Sequence, residues 1–140
     1  MEHPSSLDTA PLLTKARVLV VEDDFLILME LEAVLRDAGA DIAGLCRNVR
    51  EALAAADGGG DVGVALLDVR LGNDTVAPVA RALTEHGTPF VFYTGQVDTD
   101  PILAEWPDCR VVSKPAAPHT IVTALLDAMR MGACPGCGAA

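Results

Sequence analysis

Four places in the chain carry side chains that could work together on an anion. Glu22-Asp23-Asp24 closes the apolar run 17–21, and Asp68 closes the run 62–68. Thr94 follows Pro89-Phe90-Val91-Phe92-Tyr93, and Lys114 follows Arg110-Val111-Val112-Ser113. Asp68 alone favours a hydrogen-bonded turn residue over a working group; the other three positions reverse that. Carboxylates brought together repel one another, so a cation is needed to hold them ionised. Magnesium suits such a set, being a hard ion that takes a few carboxylates and keeps waters for phosphate oxygens. A lysine supplies a point charge for a phosphoryl group, and a threonine hydroxyl a hydrogen bond to it. The chemistry these side chains suit is transfer of a phosphoryl group to a carboxylate, by positioning and charge neutralisation.

That chemistry needs the four positions on one edge of a sheet. Each follows a short apolar run without polar alternation, the pattern of a strand buried on both faces. Helices alternate with these strands. The first spans 25–38, with Asp24 as N-cap, Gly39 as its stop, and Leu28, Leu31 and Leu35 toward the sheet. Its further apolar residues Phe25, Leu26, Ile27, Met29 and Val34 fit either burial by neighbours or a docking face. A weaker edge strand at 41–46 leads to an Ala-rich helix at 49–56. Gly58-Gly59-Gly60 is a flexible connection without phosphate-loop spacing. The loop 70–74 precedes a helix at 75–86, whose Pro78 should shift its start or kink it. Residues 96–108 are the least readable, with a short, poorly ordered helix between Pro101 and Pro107. The last helix covers 119–131, its stripe being Ile121, Leu125, Ala128 and Met129. Five β/α units with right-handed crossovers make an α/β, doubly wound sheet, because 140 residues are too few for an eight-unit barrel.

Composition bounds the rest. The length fits one domain, 16–131, between a flexible N-terminal arm at 1–15 and a flexible C-terminal tail at 132–140. A hydrophobic content of 51% excludes wholesale disorder, and no apolar stretch is long enough to span a bilayer. The first residues lack the pattern of a signal peptide, so a cytoplasmic location is expected. A net charge of −10 argues against nucleic-acid and membrane partners. Cys134-Pro135-Gly136-Cys137 has the spacing of half a zinc site or a redox pair. No second cysteine or histidine pair completes four ligands, and a pair of reduced tail thiols is the plainer reading.

The motifs Val20-Val21-Glu22-Asp23, Leu66-Leu67-Asp68, Tyr93-Thr94-Gly95 and Ser113-Lys114-Pro115 together resemble those of response-regulator receiver domains. The resemblance covers about residues 17–130. It implies a five-stranded flavodoxin-like parallel sheet of order 2-1-3-4-5, with Asp68 as phosphoacceptor and Glu22, Asp23 and Asp68 as ligands of Mg2+. It further implies a main-chain metal ligand at Arg70, a switch hydroxyl at Thr94, a phosphate-contacting Lys114, and a cis Lys114–Pro115 bond. The segment 89–95 is similar to the Pro-Phe-x-Phe-Ala-Thr-Gly-Tyr motif of the FAT GUY receivers, which stand alone, but Tyr93 and Gln96 depart from it. Val111 stands where many receivers carry a switching aromatic, so the segment 95–108 is expected to relay the signal instead, being mobile before phosphorylation.

The expected role is two-component phosphorelay signalling. A histidine kinase or phosphotransfer protein donates to Asp68, and output is altered binding to a downstream protein by a monomer or weak homodimer without an output domain. The chain is then a phosphoacceptor with slow autodephosphorylation rather than an enzyme. Two rivals are a magnesium-dependent aspartyl phosphatase and a phosphorylation-independent interaction module. The phosphatase wants a second carboxylate just after its nucleophile, and Arg70 occupies the place two residues on.

Overall fold

A computed structural model describes residues 12–57, 61–95 and 100–132. The elements run β1 (Arg17–Val21), α1 (Phe25–Asp37), β2 (Asp41–Cys46), α2 (Val49–Asp57), β3 (Val64–Leu67), β4 (Arg70–Leu71), β5 (Asp74–Thr75), α3 (Ala77–Glu85), β6 (Phe90–Thr94), α4 (Ile102–Glu105), β7 (Val111–Ser113) and α5 (Pro118–Met131). Five strands make one sheet in the order β2-β1-β3-β6-β7, and β4 and β5 form a separate two-stranded ribbon. Counting only strands of the main sheet, this is the expected 2-1-3-4-5, and every pairing in that sheet is parallel.

The alternation of side chains along the strands sorts the core into two layers. Leu19, Val21, Ala65, Leu67, Phe90 and Phe92 point to one face, which α2, α3 and α4 cover. Val18, Val20, Leu66, Val91 and Tyr93 point to the other, under α1 and α5. The apolar spacing of α1 does what it predicts: Leu28, Leu31 and Leu35 are buried. Asp24 caps the helix, accepting from the backbone N–H groups of Leu26 (2.9 Å) and Ile27 (3.2 Å). Phe25 and Leu26 at its start are exposed, while Ile27, Met29 and Val34 are partly buried.

Several boundaries differ from the sequence reading, each for a local reason. The helix expected at 75–86 starts at Ala77, with Pro78 in its first turn, where a missing N–H costs nothing. The loop 70–74 is a hairpin, β4 pairing antiparallel with β5. Residues 100–108 are anchored rather than poorly ordered. Ile102 and Trp106 are buried, the Trp106 ring meets Phe90 and Phe92 edge-on at 6.2 and 6.3 Å, and its indole N–H donates to Thr84 Oγ1 (3.3 Å). On the last helix Ile121 and Leu125 are buried as expected, but so are Val122 and Ala124, while Ala128 and Met129 are only partly covered.

The packed domain also begins earlier than residue 16. Leu13 is 1% exposed and its N–H donates to the Ala38 carbonyl (2.8 Å). This fixes the turn after α1: Gly39 has φ +89°, and a Cβ there would lie 3.1 Å from Thr14 Oγ1. The remaining arm residues, Gly58-Gly59-Gly60, residues 96–99 and the Cys134/Cys137 tail lie outside the described residues.

Leu13→Ala removes a fully buried side chain from the core under α1 and α5. It is expected to cost about 2–4 kcal/mol of stability in urea unfolding. A loss under about 0.5 kcal/mol would return residues 12–15 to a loose arm.

Candidate functional site

The site forms at the carboxyl ends of β1, β3, β6 and β7, where an open parallel sheet presents its ligand crevice. Parallel register brings the residues together. Val21 stands beside Leu67 and Cys46, so Glu22 and Asp68, one residue on, emerge side by side. The Asp68 N–H donates to the Val21 carbonyl and the Glu22 N–H to the Cys46 carbonyl (both 2.9 Å). Thr94 ends β6, two residues beyond Phe92, which is the partner of Leu67; it stands opposite Ser113, just before Lys114. The Lys114 N–H donates to the Thr94 carbonyl (2.9 Å), and the Lys114–Pro115 bond is cis, as the resemblance implies.

Glu22, Asp23 and Asp68 each offer a carboxylate oxygen within 4.8 Å of the other two. Glu22 is buried at 1% exposure and Asp68 at 8%, so little water shields their repulsion. Lys114 enters between them: its Nζ donates to Glu22 Oε1 (2.8 Å) and Asp68 Oδ2 (3.1 Å). Burial pushes the Glu22 carboxyl up to about 7, and the neighbouring Asp68 charge adds to this against the opposing Lys114 hydrogen bond. Burial acts to lower the Lys114 ammonium, but the hydrogen bond to Glu22 and the Asp68 charge outweigh it and leave its pKa raised. The set is rich in hard oxygen donors and holds more negative charge than Lys114 offsets. It therefore fits a divalent cation such as Mg2+. Glu22, Asp23 and Asp68 would hold such an ion.

Other groups fix this geometry. Asp24 Nα donates to Glu22 Oε2 (3.1 Å), and the Gly72 N–H donates to Asp23 Oδ2 (2.9 Å), tying the loop after Asp68 to the acidic turn. Arg47 donates to the Asp23 carbonyl through Nη2 (3.1 Å). The Tyr93 hydroxyl accepts from the Ala116 N–H (3.3 Å), holding the turn after the cis bond, and Lys114 Nζ lies 5.5 Å from the Tyr93 ring centre. Arg70 is the sequence-selected residue whose side chain leaves the cluster: its Nε pairs with Asp100 Oδ2 (2.7 Å). Arg47, Gly72 and Asp100 carried no signal in sequence, because their roles arise from contacts spanning 24 to 49 residues.

No family sequence model matches the chain, and no curated protein matches it by sequence. Solved structures do. The chain is similar to SdrG from Sphingomonas melonis Fr1, with 33% identity, a TM-score of 0.69, and cover of 83% of this chain and 97% of that one. The PhyR response regulator REC domain of Erythrobacter litoralis is 25% identical (TM-score 0.67; 86% and 94% covered). A response regulator receiver protein from Sinorhizobium medicae WSM419 has the same fold at 22% identity (TM-score 0.73; 84% and 97%). The chain belongs to the response-regulator receiver family. That membership supports two-component signalling in general terms. As a receiver it keeps the acidic cluster and the lysine, but Val111 on β7 is a small, partly buried aliphatic residue packed against the Phe90–Trp106 layer. Among the described residues no helix is long and apolar enough to cross a membrane.

The raised Glu22 pKa sets a pH dependence. In the fold Glu22 holds its proton up to about 7, against 4.5 when unperturbed. The stability this contributes is present below 4.5 and lost as pH rises through 7. Glu22→Gln mimics the protonated form at every pH. In chelator-containing buffer the variant is expected to match wild type near pH 4.5 and exceed it by about 1–3 kcal/mol at pH 8. A difference that stays flat across this range in urea unfolding would contradict the assigned protonation.

Proposed function

We propose that this receiver accepts a phosphoryl group on Asp68 from a histidine kinase or phosphotransfer protein. Its output is changed binding to a downstream protein, and it works in the cytoplasm as a signalling receiver of the FAT GUY kind. The observation that carries the reading is Lys114 Nζ within hydrogen-bond reach of both Glu22 and Asp68, inside a cluster of three carboxylates.

An Asp68 carboxylate oxygen attacks phosphorus, forming the Asp68 O–P bond. The phosphorus–nitrogen bond of a donor phosphohistidine breaks, and its electron pair returns to the imidazole. A magnesium ion held by Glu22, Asp23, Asp68 and the Arg70 carbonyl would neutralise charge on the phosphoryl oxygens. Lys114, already beside Asp68, exchanges a carboxylate partner for a phosphoryl oxygen, a charge-assisted bond to a more highly charged group. Thr94, buried at the end of β6, supplies its hydroxyl from the adjoining strand. The reaction leaves the protein itself phosphorylated, in keeping with a signalling role rather than turnover of substrates.

Asp68→Asn retains size and polarity but cannot form an acyl phosphate. It is expected to fold and to lose all labelling by acetyl phosphate with Mg2+. Lys114→Ala is expected to slow labelling by about tenfold or more. Wild-type labelling of Asp68→Asn would sink the assignment.

A further inference from the structure

The loop after the acceptor is tied at two points. One is the Gly72 N–H on Asp23. The other is remote: Arg70 Nε reaches Asp100 Oδ2 at 2.7 Å, thirty residues on. The two partners are unequal. The Arg70 side chain is 47% exposed, whereas that of Asp100 is 1% exposed. A carboxylate buried that fully requires partners. Its second oxygen accepts from the Ile102 N–H (3.1 Å), at the start of α4. Asp100 thus faces the acceptor loop with one oxygen and α4 with the other. α4 in turn is set by Ile102 and Trp106, both buried under the sheet. Arg81 reinforces it through Glu105 (3.0 Å).

We propose that Asp100 is a positioning residue for phosphotransfer: through Arg70 it holds the main chain beside Asp68 in the geometry that binds the metal. The inference rests on the proposed function, since the main-chain carbonyl it holds is that of Arg70. The side chain of Arg70 points from the cluster to Asp100, so the pull of the pair is transmitted to the backbone of β4, two residues from the acceptor. Groups that orient metal ligands from behind commonly change affinity by about 10–100-fold when removed. The same pair links the site to Trp106 without any aromatic at Val111.

The test is the Mg2+ dissociation constant, measured by calorimetry on the whole chain. Asp100→Asn keeps an acceptor for the Ile102 N–H but loses the charge that holds Arg70. Arg70→Gln keeps the backbone and removes the guanidinium. Each is expected to weaken Mg2+ by about tenfold, and the double variant no further, because both remove one link. Leu35→Ala, which loosens the core on the opposite face of the sheet without touching the pair or α4, serves as the control: it should lower stability and leave the Mg2+ constant as in wild type. Circular dichroism checks that each variant is folded. Native-like Mg2+ binding by a folded Asp100→Asn overturns the proposal, as do losses that add in the double variant. An equal loss in Leu35→Ala overturns it too, by showing a general effect of stability. Failure of the wild type to bind Mg2+ would instead overturn the metal-dependent reading as well, which separates the two failures.

Discussion

The mutual repulsion of Glu22, Asp23 and Asp68 is the constraint on which the rest of the structure depends. The parallel register of β1 and β3 forces at least two of these acids together, whatever their charge. Water would screen them, but Glu22 and Asp68 are buried. The fold therefore contains the repulsion in other ways: the Lys114 ammonium donates to Glu22 and Asp68, the Gly72 N–H to Asp23 and the Asp24 N–H to Glu22. Burial, with the Asp68 charge adding to it, still leaves the Glu22 carboxyl raised to about 7. A site poised in this way gains from any added positive charge, and that is the physical basis for reading it as cation-dependent.

Keeping the cluster in place engages most of the molecule. Lys114 reaches it from β7, at the far edge of the sheet, with its backbone fixed by the Thr94 carbonyl. The acidic turn is tied through Arg47 to the end of β2, so the β1–β2 edge also bears on the site. Phe90, Phe92 and Trp106 pack edge to face beneath the ends of β3 and β6, giving that side a stiff layer where Val111 offers little reach. Ion pairs with one exposed partner and one buried, such as Arg70–Asp100, hold geometry more than they add stability.

Much of this was legible because chemistry and structure coincide at strand ends. Each of Glu22, Asp68, Thr94 and Lys114 directly follows or closes an apolar run, so the run that predicts a buried strand also locates the group. Asp24 and Gly39 were readable as helix punctuation, since an N-cap acid and a glycine stop are signalled by the residues at the helix ends. The β4–β5 ribbon was not, because two-residue strands have no period. Leu13 was hidden in an arm rich in Pro, Ser and Thr, its burial decided by a turn twenty-five residues away. Asp100 sits in a segment without periodicity, and its partner Arg70 had been singled out for its carbonyl rather than its side chain.

The most direct test is to trap the phosphoryl group where it forms. Treatment with acetyl phosphate and Mg2+, then borohydride, reduces an aspartyl phosphate to homoserine, which peptide mass spectrometry locates. Homoserine at position 68 alone, and none when Mg2+ is chelated, is the result the account predicts. Homoserine at another acid, at position 68 without the cation, or nowhere would contradict it.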